Sequence, residues 1–215
     1  MQAALESFPL YWEGFKTTLT LALIAGLLAL ILGTILGTFR VSPVPPLRWF
    51  GTAYVEIVRN TPLTLVFFFF VFISPQFGLQ FPFFTSAIIA LTLYTAAFVC
   101  EAVRSGINSV GVGQAEAARA VGLTFSQTLS LIVVPQALRT VVPPLINIFI
   151  ALAKNTSVAG GFFVAELFGA AKRLANVHPA DVIAVLIGVG VAYLVITIPA
   201  GLLAGYVERK VAFAR

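Results

Sequence analysis

The stretch GFKTTLTLALIAGLLALILGTILGTF, from Gly14 to Phe39, decides the fold class of this protein. Its only charged residue is Lys16, at the edge of the stretch, where a long side chain can reach the membrane surface. A helix rises about 1.5 Å per residue, so about 20 apolar residues cross the hydrocarbon core of a bilayer. The stretch is therefore predicted to be a transmembrane helix.

The composition extends this prediction to the whole chain. Of its 215 residues, 60% are hydrophobic and only 10% are charged, and the mean hydropathy is +1.02. Soluble domains carry about 25% charged residues. We therefore predict an all-α integral membrane protein that forms one domain over residues 1–215.

Five transmembrane spans are predicted, with six as the alternative. Thr61 and Pro62 are placed at the start of the second span, as N-cap and first helical residue, after a loop from Arg40 to Arg48. Whether residues 157–171 cross the membrane, dip into it or lie on it stays open. The five spans cover approximately residues 14–39, 60–79, 83–103, 126–153 and 182–206.

The fourth span is predicted to be kinked, because Pro135, Pro143 and Pro144 interrupt it. Prolines inside a membrane helix leave carbonyl groups without a helical donor, and these are tolerated where neighbouring helices or water satisfy them. This span is therefore expected to pack within a bundle and to line a cavity.

The placement of lysine and arginine predicts the orientation, because cytoplasmic loops carry more of both. The prediction is an outside N-terminus and an inside C-terminus. The inside set is Arg40, Arg48, Arg59, Arg104, Arg119, Arg209, Lys210 and Arg215, and the outside set is Lys16, Lys154, Lys172 and Arg173. The high pI of about 9.7 is then a feature of topology and not of nucleic-acid binding.

Several classes of site are excluded by the residues present. Cys100 is the single cysteine and His178 the single histidine, so no intrachain disulfide and no histidine-based metal site is expected. The sequence has no glycine-rich phosphate loop, no paired catalytic carboxylates and no nucleophile elbow. We therefore expect no enzyme activity and no bound cofactor or metal.

The loop between the third and fourth spans, residues 105–125, contains a short polar segment rich in alanine. Gln114 to Val121 is predicted to form a helix that is too short to cross the membrane, with Gly122 at its end. Glu116 and Arg119 occupy one exposed side of it. The segment is either an interfacial connector or a docking element, and its lack of large apolar residues favours docking.

The spacing of this loop resembles a known motif. Glu116, Ala117 and Ala118, then three residues, Gly122, nine residues, Ile132, one residue, and Val134–Pro135 are similar to the EAA motif of ABC importer permeases, with valine in place of one leucine. The segments RNTPL (59–63), VPQALR (134–139) and KNTSV (154–158) resemble the polar amino acid uptake family, and the similarity covers essentially the whole chain.

The resemblance implies the type I ABC importer transmembrane fold, in the prokaryotic cytoplasmic (inner) membrane. The implied partners are an ABC ATPase dimer that binds ATP and Mg, a second permease subunit, homologous or identical, an extracytoplasmic solute-binding protein, and membrane lipid. The loop would form a coupling helix seated in the ATPase. The implied coupling residues are Gln114, Glu116, Ala117, Ala118, Arg119 and Gly122.

Polar residues in the outer half of the fourth span are candidates for the solute pathway, because polar groups are costly in lipid and should face protein or water. The alternative for each of them is helix packing. Arg59 and Arg104 are candidates for carboxylate recognition, although juxtamembrane arginines more often anchor topology. The pathway candidates are Asn147, Ile148, Lys154, Asn155, Thr156, Ser157 and Arg104.

Two of these candidates indicate which class of amino acid is carried. Ile148 and Asn155 are seven residues apart and share a helical face. In relatives that carry basic amino acids, the matching positions tend to be acidic, whereas here both are uncharged. The resemblance therefore implies an acidic or neutral amino acid, with glutamate, aspartate and glutamine as the expected solutes.

The alternative function is a stand-alone secondary transporter or channel for small polar solutes. Such transporters commonly show internal repeats and ion-coupling acids near the middle of the membrane, and the sequence shows neither. A scaffold protein without transport is a second alternative, but it would not need the coupling-type loop. The sequence favours the transmembrane permease subunit of an ATP-driven importer.

Overall fold

The computed structural model describes residues 8–212. Arg215, used in the orientation argument, and the two ends of the predicted domain lie outside the described residues. The described part is helical and contains no strand. Its helices are α1 (Phe8–Val41), α2 (Pro45–Arg59), α3 (Leu63–Phe68), α4 (Phe83–Asn108), α5 (Val112–Ala120), α6 (Phe125–Gln127), α7 (Val134–Asn155), α8 (Ser157–Gly161), α9 (Leu167–Val177) and α10 (Val182–Ala212).

Within residues 8–212, four continuous helical stretches are long and apolar enough to cross a membrane. They are Phe8–Val41, Phe83–Asn108, Phe125–Gly161 and Pro179–Lys210. The pair Pro45–Arg59 and Leu63–Phe77, bent by 100°, raises the number to five if it counts as one span. The fold class expected from the sequence, an all-α protein with several apolar spans, is confirmed.

Helix α2 differs from the prediction of a loop from Arg40 to Arg48. The loop ends at Val44 and a helix begins at Pro45, because a proline in the first turn loses no helical hydrogen bond. One side of α2 buries Gly51 and Val55, while Trp49 and Ile57 on its other sides are exposed. The bend of 100° and the exposed aromatic side chains are typical of a helix that lies in the membrane interface.

Pro62 precedes helix α3 and does not occupy its first turn, while the Thr61 hydroxyl donates to the Ile57 carbonyl. After α3 the chain widens into a π-helical turn over Phe69–Ile73 and then tightens into a 3₁₀ turn over Ser74–Phe77. The second span therefore changes its helical form twice within its length.

Proline explains the position of both π-helical segments. Phe69–Ile73 is followed by Pro75, and Thr128–Val133 is followed by Pro135. A proline ring clashes with the carbonyl four residues before it, and a local widening of the helix relieves that clash. The predicted kink of the fourth span is thus a widened turn before Pro135, while Pro143 and Pro144 remain inside α7.

Helices α1 and α4 share the most extensive contact between helices within residues 8–212. A Cβ atom added to Gly33 would lie 2.5 Å from Val99 Cβ, and one added to Gly37 would lie 2.8 Å from Val103 Cγ1. Two glycines four residues apart let membrane helices approach backbone to backbone. This contact fixes α4, and α4 carries most of the site described next.

Candidate functional site

The predicted short helix is present as α5, and it ends in a glycine. Gly122 has a φ of +92°, which L side chains rarely adopt. Its N–H donates to the Arg119 carbonyl at 3.0 Å, and the Leu123 N–H donates to the Ala118 carbonyl at 3.1 Å. These two bonds form a Schellman motif, so Gly122 ends the helix as the sequence predicts.

The side chains of α5 divide into one buried position and an exposed surface. Ala118 is 6% exposed and faces the π-helical segment Thr128–Val133, against which α5 packs. The remaining predicted coupling residues are exposed on the free side of the helix or at its end: Gln114, Glu116, Ala117, Arg119 and Gly122. The structure thus holds a small polar surface away from the bundle on a short, well-capped helix.

A cavity of about 230 Å³ lies between α4 and α7. Of the predicted pathway residues it includes Ile148 and Asn155, which share a face of α7. Its lining contains no carboxylate and no basic group. The lining residues are Tyr94, Thr95, Phe98, Ile148, Ala151, Leu152 and Asn155.

The other predicted pathway residues lie outside this lining. Asn147 is on another side of α7 and donates to Glu208 Oε1 at 3.4 Å. Thr156 is buried and its hydroxyl donates to the Ala153 carbonyl at 2.8 Å. Lys154 is exposed and Ser157 is half-buried. Neighbouring residues on a helix point in different directions, so a cluster in sequence is divided among several faces.

Arg104 belongs to an ion cluster that we call the Glu101 cluster, formed by Glu101, Arg40, Arg59 and Arg104. Arg40 and Arg104 contact the two different oxygens of the Glu101 carboxylate, and Arg59 Nη1 lies 3.7 Å from its Oε2. Arg139, the arginine of the fourth span, is not in this cluster. The ends of α1 and α2 bring Arg40 and Arg59 to α4 instead, since both helices pack on it.

A second polar group is buried near the opposite end of the bundle. Glu166 is fully buried and caps α9, where its Oε1 accepts from the Gly169 N–H at 2.7 Å. Its Oε2 accepts from the Tyr193 hydroxyl at 2.6 Å and from the Thr18 hydroxyl at 3.3 Å. The Glu166 side chain therefore ties α9 to α1 and α10.

A larger groove of about 530 Å³ runs between α1, α7 and α10, and its lining is almost wholly apolar. Its one polar side chain is Thr197, whose hydroxyl already donates to the Tyr193 carbonyl at 3.0 Å. The groove offers a polar solute nothing to bind, so the smaller cavity beside Asn155 is the better candidate.

Two features described above, the aromatic lining of the cavity and the buried Glu166, were not identified from the sequence. Tyr94 and Phe98 line the cavity, and their spacing with Glu101 places all three on one side of α4. That spacing could have indicated the site, but aromatic residues in a membrane span usually face lipid or packed helices. Glu166 is the single acidic residue in an apolar segment, and this isolation was the available signal.

Among residues 8–212, no three histidine, cysteine, aspartate or glutamate side chains come together to hold a metal ion. The candidate site is therefore made of the α5 surface, the cavity and the Glu101 cluster that lies between them.

Comparison with known proteins gives consistent similarities over nearly the whole chain. Residues 11–213 match the model of the family described as "Binding-protein-dependent transport system inner membrane component". The chain is 42% identical over 205 residues to the probable glutamine ABC transporter permease protein GlnM of Bacillus subtilis (strain 168), covering 95% of this chain and 94% of GlnM. It is 40% identical over 216 residues to the glutamate transport system permease protein GluC of Corynebacterium glutamicum, covering 95% of each.

A solved structure agrees in fold. The crystal structure of an amino acid ABC transporter with histidines superposes with a TM-score of 0.90 and 28% identity, covering 97% of both chains. The similarity extends over the bundle, the short helix and the segment between α7 and α10.

Proposed function

Because the chain belongs to the family of binding-protein-dependent transport system inner membrane components, we infer that its cavity and its short helix serve amino acid import. The chain is a permease of an amino acid ABC importer, and it is a multi-pass membrane protein. The observation that carries the inference is the similarity to amino acid permeases over 95% of the chain. A stand-alone transporter or channel is set aside because the family consists of components of larger systems.

We propose that α5 is the coupling helix and transmits the movement of a separate ATPase dimer, which binds ATP and Mg. The exposed residues of α5 would contact the ATPase, and Ala118 would pass the movement to the fourth span through the π-helical segment. A short rigid helix suits this role, because rigid elements carry rigid-body movements between subunits. This chain would supply no nucleotide site of its own.

The assembly we propose has a prokaryotic cytoplasmic membrane location and the outside-to-inside orientation predicted from lysine and arginine placement. With that orientation α5 and the Glu101 cluster face the cytoplasmic half. A solute-binding protein would dock at the other end, beside α9, and a second permease, homologous or identical, would pair with this one across the face that carries the cavity.

We propose that the cavity beside Asn155 receives a neutral or acidic amino acid, with glutamine, glutamate and aspartate as candidates. Its lining has no carboxylate to pair with a cationic side chain, and an unpaired charge is costly in such a site. The Asn155 amide offers both a donor and an acceptor to the polar groups of the solute.

The coupling role is tested by reversing the charge of Glu116. In proteoliposomes that contain the complete complex and its binding protein, E116K should reduce uptake at least about tenfold, because a lost charged contact at a protein interface costs about 2 kcal/mol or more. The matched control is E56K, which makes the same change on α2, where Glu56 is exposed. Normal uptake by E116K would contradict the coupling role.

The solute class is tested separately with the unaltered complex. Uptake of labelled glutamine and labelled glutamate should exceed uptake of labelled arginine at equal concentration, in the presence of ATP. Faster uptake of arginine would contradict the proposed solute class while leaving the coupling role intact.

A further inference from the structure

The Glu101 cluster carries more positive than negative charge. Three guanidinium groups surround one carboxylate, so two positive charges are in excess. Three of the side chains are partly buried, with exposed fractions of 10% for Arg40, 34% for Arg104 and 26% for Glu101, while Arg59 is more open, at 41%. Uncompensated charge in such surroundings favours the binding of an anion.

Arg59 is the member of this cluster whose guanidinium group does not hydrogen-bond to the Glu101 carboxylate. Its Nη1 is 3.7 Å from Glu101 Oε2, which is too long for a hydrogen bond, and its side chain makes no hydrogen bond within residues 8–212. By contrast, Arg40 and Arg104 both hydrogen-bond to the carboxylate. A guanidinium group carries five N–H donors, so Arg59 retains the capacity for a two-point contact.

The position of Arg59 connects the cluster to the cavity. Its guanidinium carbon lies 5.4 Å from the centre of the Phe98 ring, and Phe98 lines the cavity together with Asn155. This stacking orients the planar group. On α4, Phe98 and Glu101 are three residues apart, so the cluster lies about one helical turn from the cavity, toward the end that carries α5.

We propose that Arg59 binds the α-carboxylate of the solute at the end of the cavity nearest α5. An arginine forms two parallel hydrogen bonds with a carboxylate, and such charged pairs are among the strongest hydrogen bonds in proteins. The α-carboxylate is common to all the candidate amino acids, so Arg59 recognises the amino acid backbone and leaves the side chain to the rest of the cavity. The inference rests on the proposed function of the cavity.

The test measures discrimination between a carboxylate and an amide. Labelled glutamine is equilibrated by dialysis with the purified permease–ATPase complex without binding protein, and unlabelled glutamine or its α-amide is added as competitor. With the natural chain the α-amide should compete at least about tenfold more weakly. With R59Q, glutamine should bind at least about tenfold more weakly and the two competitors should differ less than about twofold.

Two further variants keep the test decisive. R59K retains the charge and the cluster but loses the two-point geometry, so its discrimination should fall at least about threefold even if R59Q assembles poorly. R48Q is the matched control, because Arg48 is an exposed arginine of the same helix whose side chain, within residues 8–212, hydrogen-bonds only to the Ser42 carbonyl, at 3.4 Å. It should bind glutamine as the natural chain does, and its basal ATP hydrolysis should be unchanged.

The outcomes separate this site from the proposed function. Unchanged discrimination in R59Q and R59K, or the absence of saturable binding to the natural complex, would overturn the Arg59 site. A failure of the natural complex to take up any candidate amino acid into proteoliposomes would instead contradict the proposed function.

Discussion

Glu166 is a fully buried carboxyl group held by donors from three helices. It lies in the segment between α8 and α9, outside the stretches that are long enough to span a membrane. Burial raises the pKa of the Glu166 carboxyl above its ordinary value, and the hydrogen bonds from Tyr193, Phe168, Gly169 and Thr18 oppose that rise. A Cβ atom on Gly160 would lie 2.2 Å from Glu166 Oε1, so the backbone is packed directly against this group.

The raised pKa of Glu166 predicts a pH dependence of stability. Between its ordinary and its raised pKa the folded chain binds more protons than the unfolded chain, so the free energy of unfolding falls as pH rises through that window. The contribution is complete below the ordinary carboxyl pKa. E166Q should remove this dependence and cost about 1–3 kcal/mol, because its amide cannot accept from all of the same donors.

The measurement is thermal unfolding of the detergent-solubilised chain from acid to neutral pH, followed by a thiol-reactive dye that reports exposure of the buried Cys100. The same pH slope in E166Q and the natural chain would contradict the assignment to Glu166.

Gly122 is required for its backbone conformation and not for lack of space. No atom lies within 4 Å of a Cβ added to Gly122, but its φ of +92° is unfavourable for other residues. G122A should destabilise the end of α5 by about 1–2 kcal/mol. Gly113 is the control, because it lies in the first turn of α5 without steric contacts, and G113A should stabilise the helix by up to about 1 kcal/mol.

Hydrogen exchange of the α5 amides in the two variants measures the difference between them. Equal protection of α5 in G122A and G113A would contradict the conformational explanation.

At the scale of elements, the contact between α1 and α4 is the most extensive within residues 8–212. Gly33 and Gly37 bring α1 against Val99 and Val103, and the carbonyl of Ala96 would lie 2.7 Å from a Cβ on Gly33. A side chain at Gly33 would clash with the backbone of α4, and a backbone cannot move aside by a rotamer change as a flexible side chain can. The position of α4, and with it the cavity and Glu101, depends on this contact.

G33L should separate α1 from α4 and destabilise the chain by about 3 kcal/mol or more, because it overpacks a rigid contact. G190L is the matched control, since a Cβ on Gly190 meets no atom within 4 Å. Labelling of Cys100 on α4 should be faster in G33L and unchanged in G190L. Equal labelling rates in both variants would show that the α1–α4 contact does not determine the position of α4.

At the scale of the whole molecule, α4 links the three parts of the site. Phe98 lines the cavity, Glu101 forms ion pairs with the arginines of the Glu101 cluster, and α5 follows α4 after a short connection. Helix α5 is therefore connected to the cavity through the segments that it joins, namely α4 and the fourth span.

The neutral lining of the cavity predicts that an added carboxylate changes the solute. N155D should raise uptake of arginine relative to glutamine about tenfold or more in proteoliposomes with the complete complex, because an opposite charge offsets the cost of taking a cation out of water. N176D makes the same change at an exposed position of α9 and should leave the ratio unchanged. An unaltered ratio in N155D would place the solute elsewhere.

The sequence by itself determined the fold class, the main apolar spans, the short helix with its terminal glycine and the family resemblance. Each of these depends on local composition or on fixed spacing along the chain. Helix α2 was missed because three prolines near Arg40–Arg48 indicate a loop, although Pro45 and Pro46 start a helix without losing a hydrogen bond.

Only the tertiary structure decided which polar residues lie close together in space. It brought Asn155 to Tyr94 and Phe98, separated Asn147 from them, and paired Glu101 with Arg40, Arg59 and Arg104. Which side chains face each other across a bundle depends on the rotation and depth of each helix. Contacts between helices set both. Gly33 and Gly37 mark a face of α1 for close approach, but the sequence does not say that α4 is the helix that packs there.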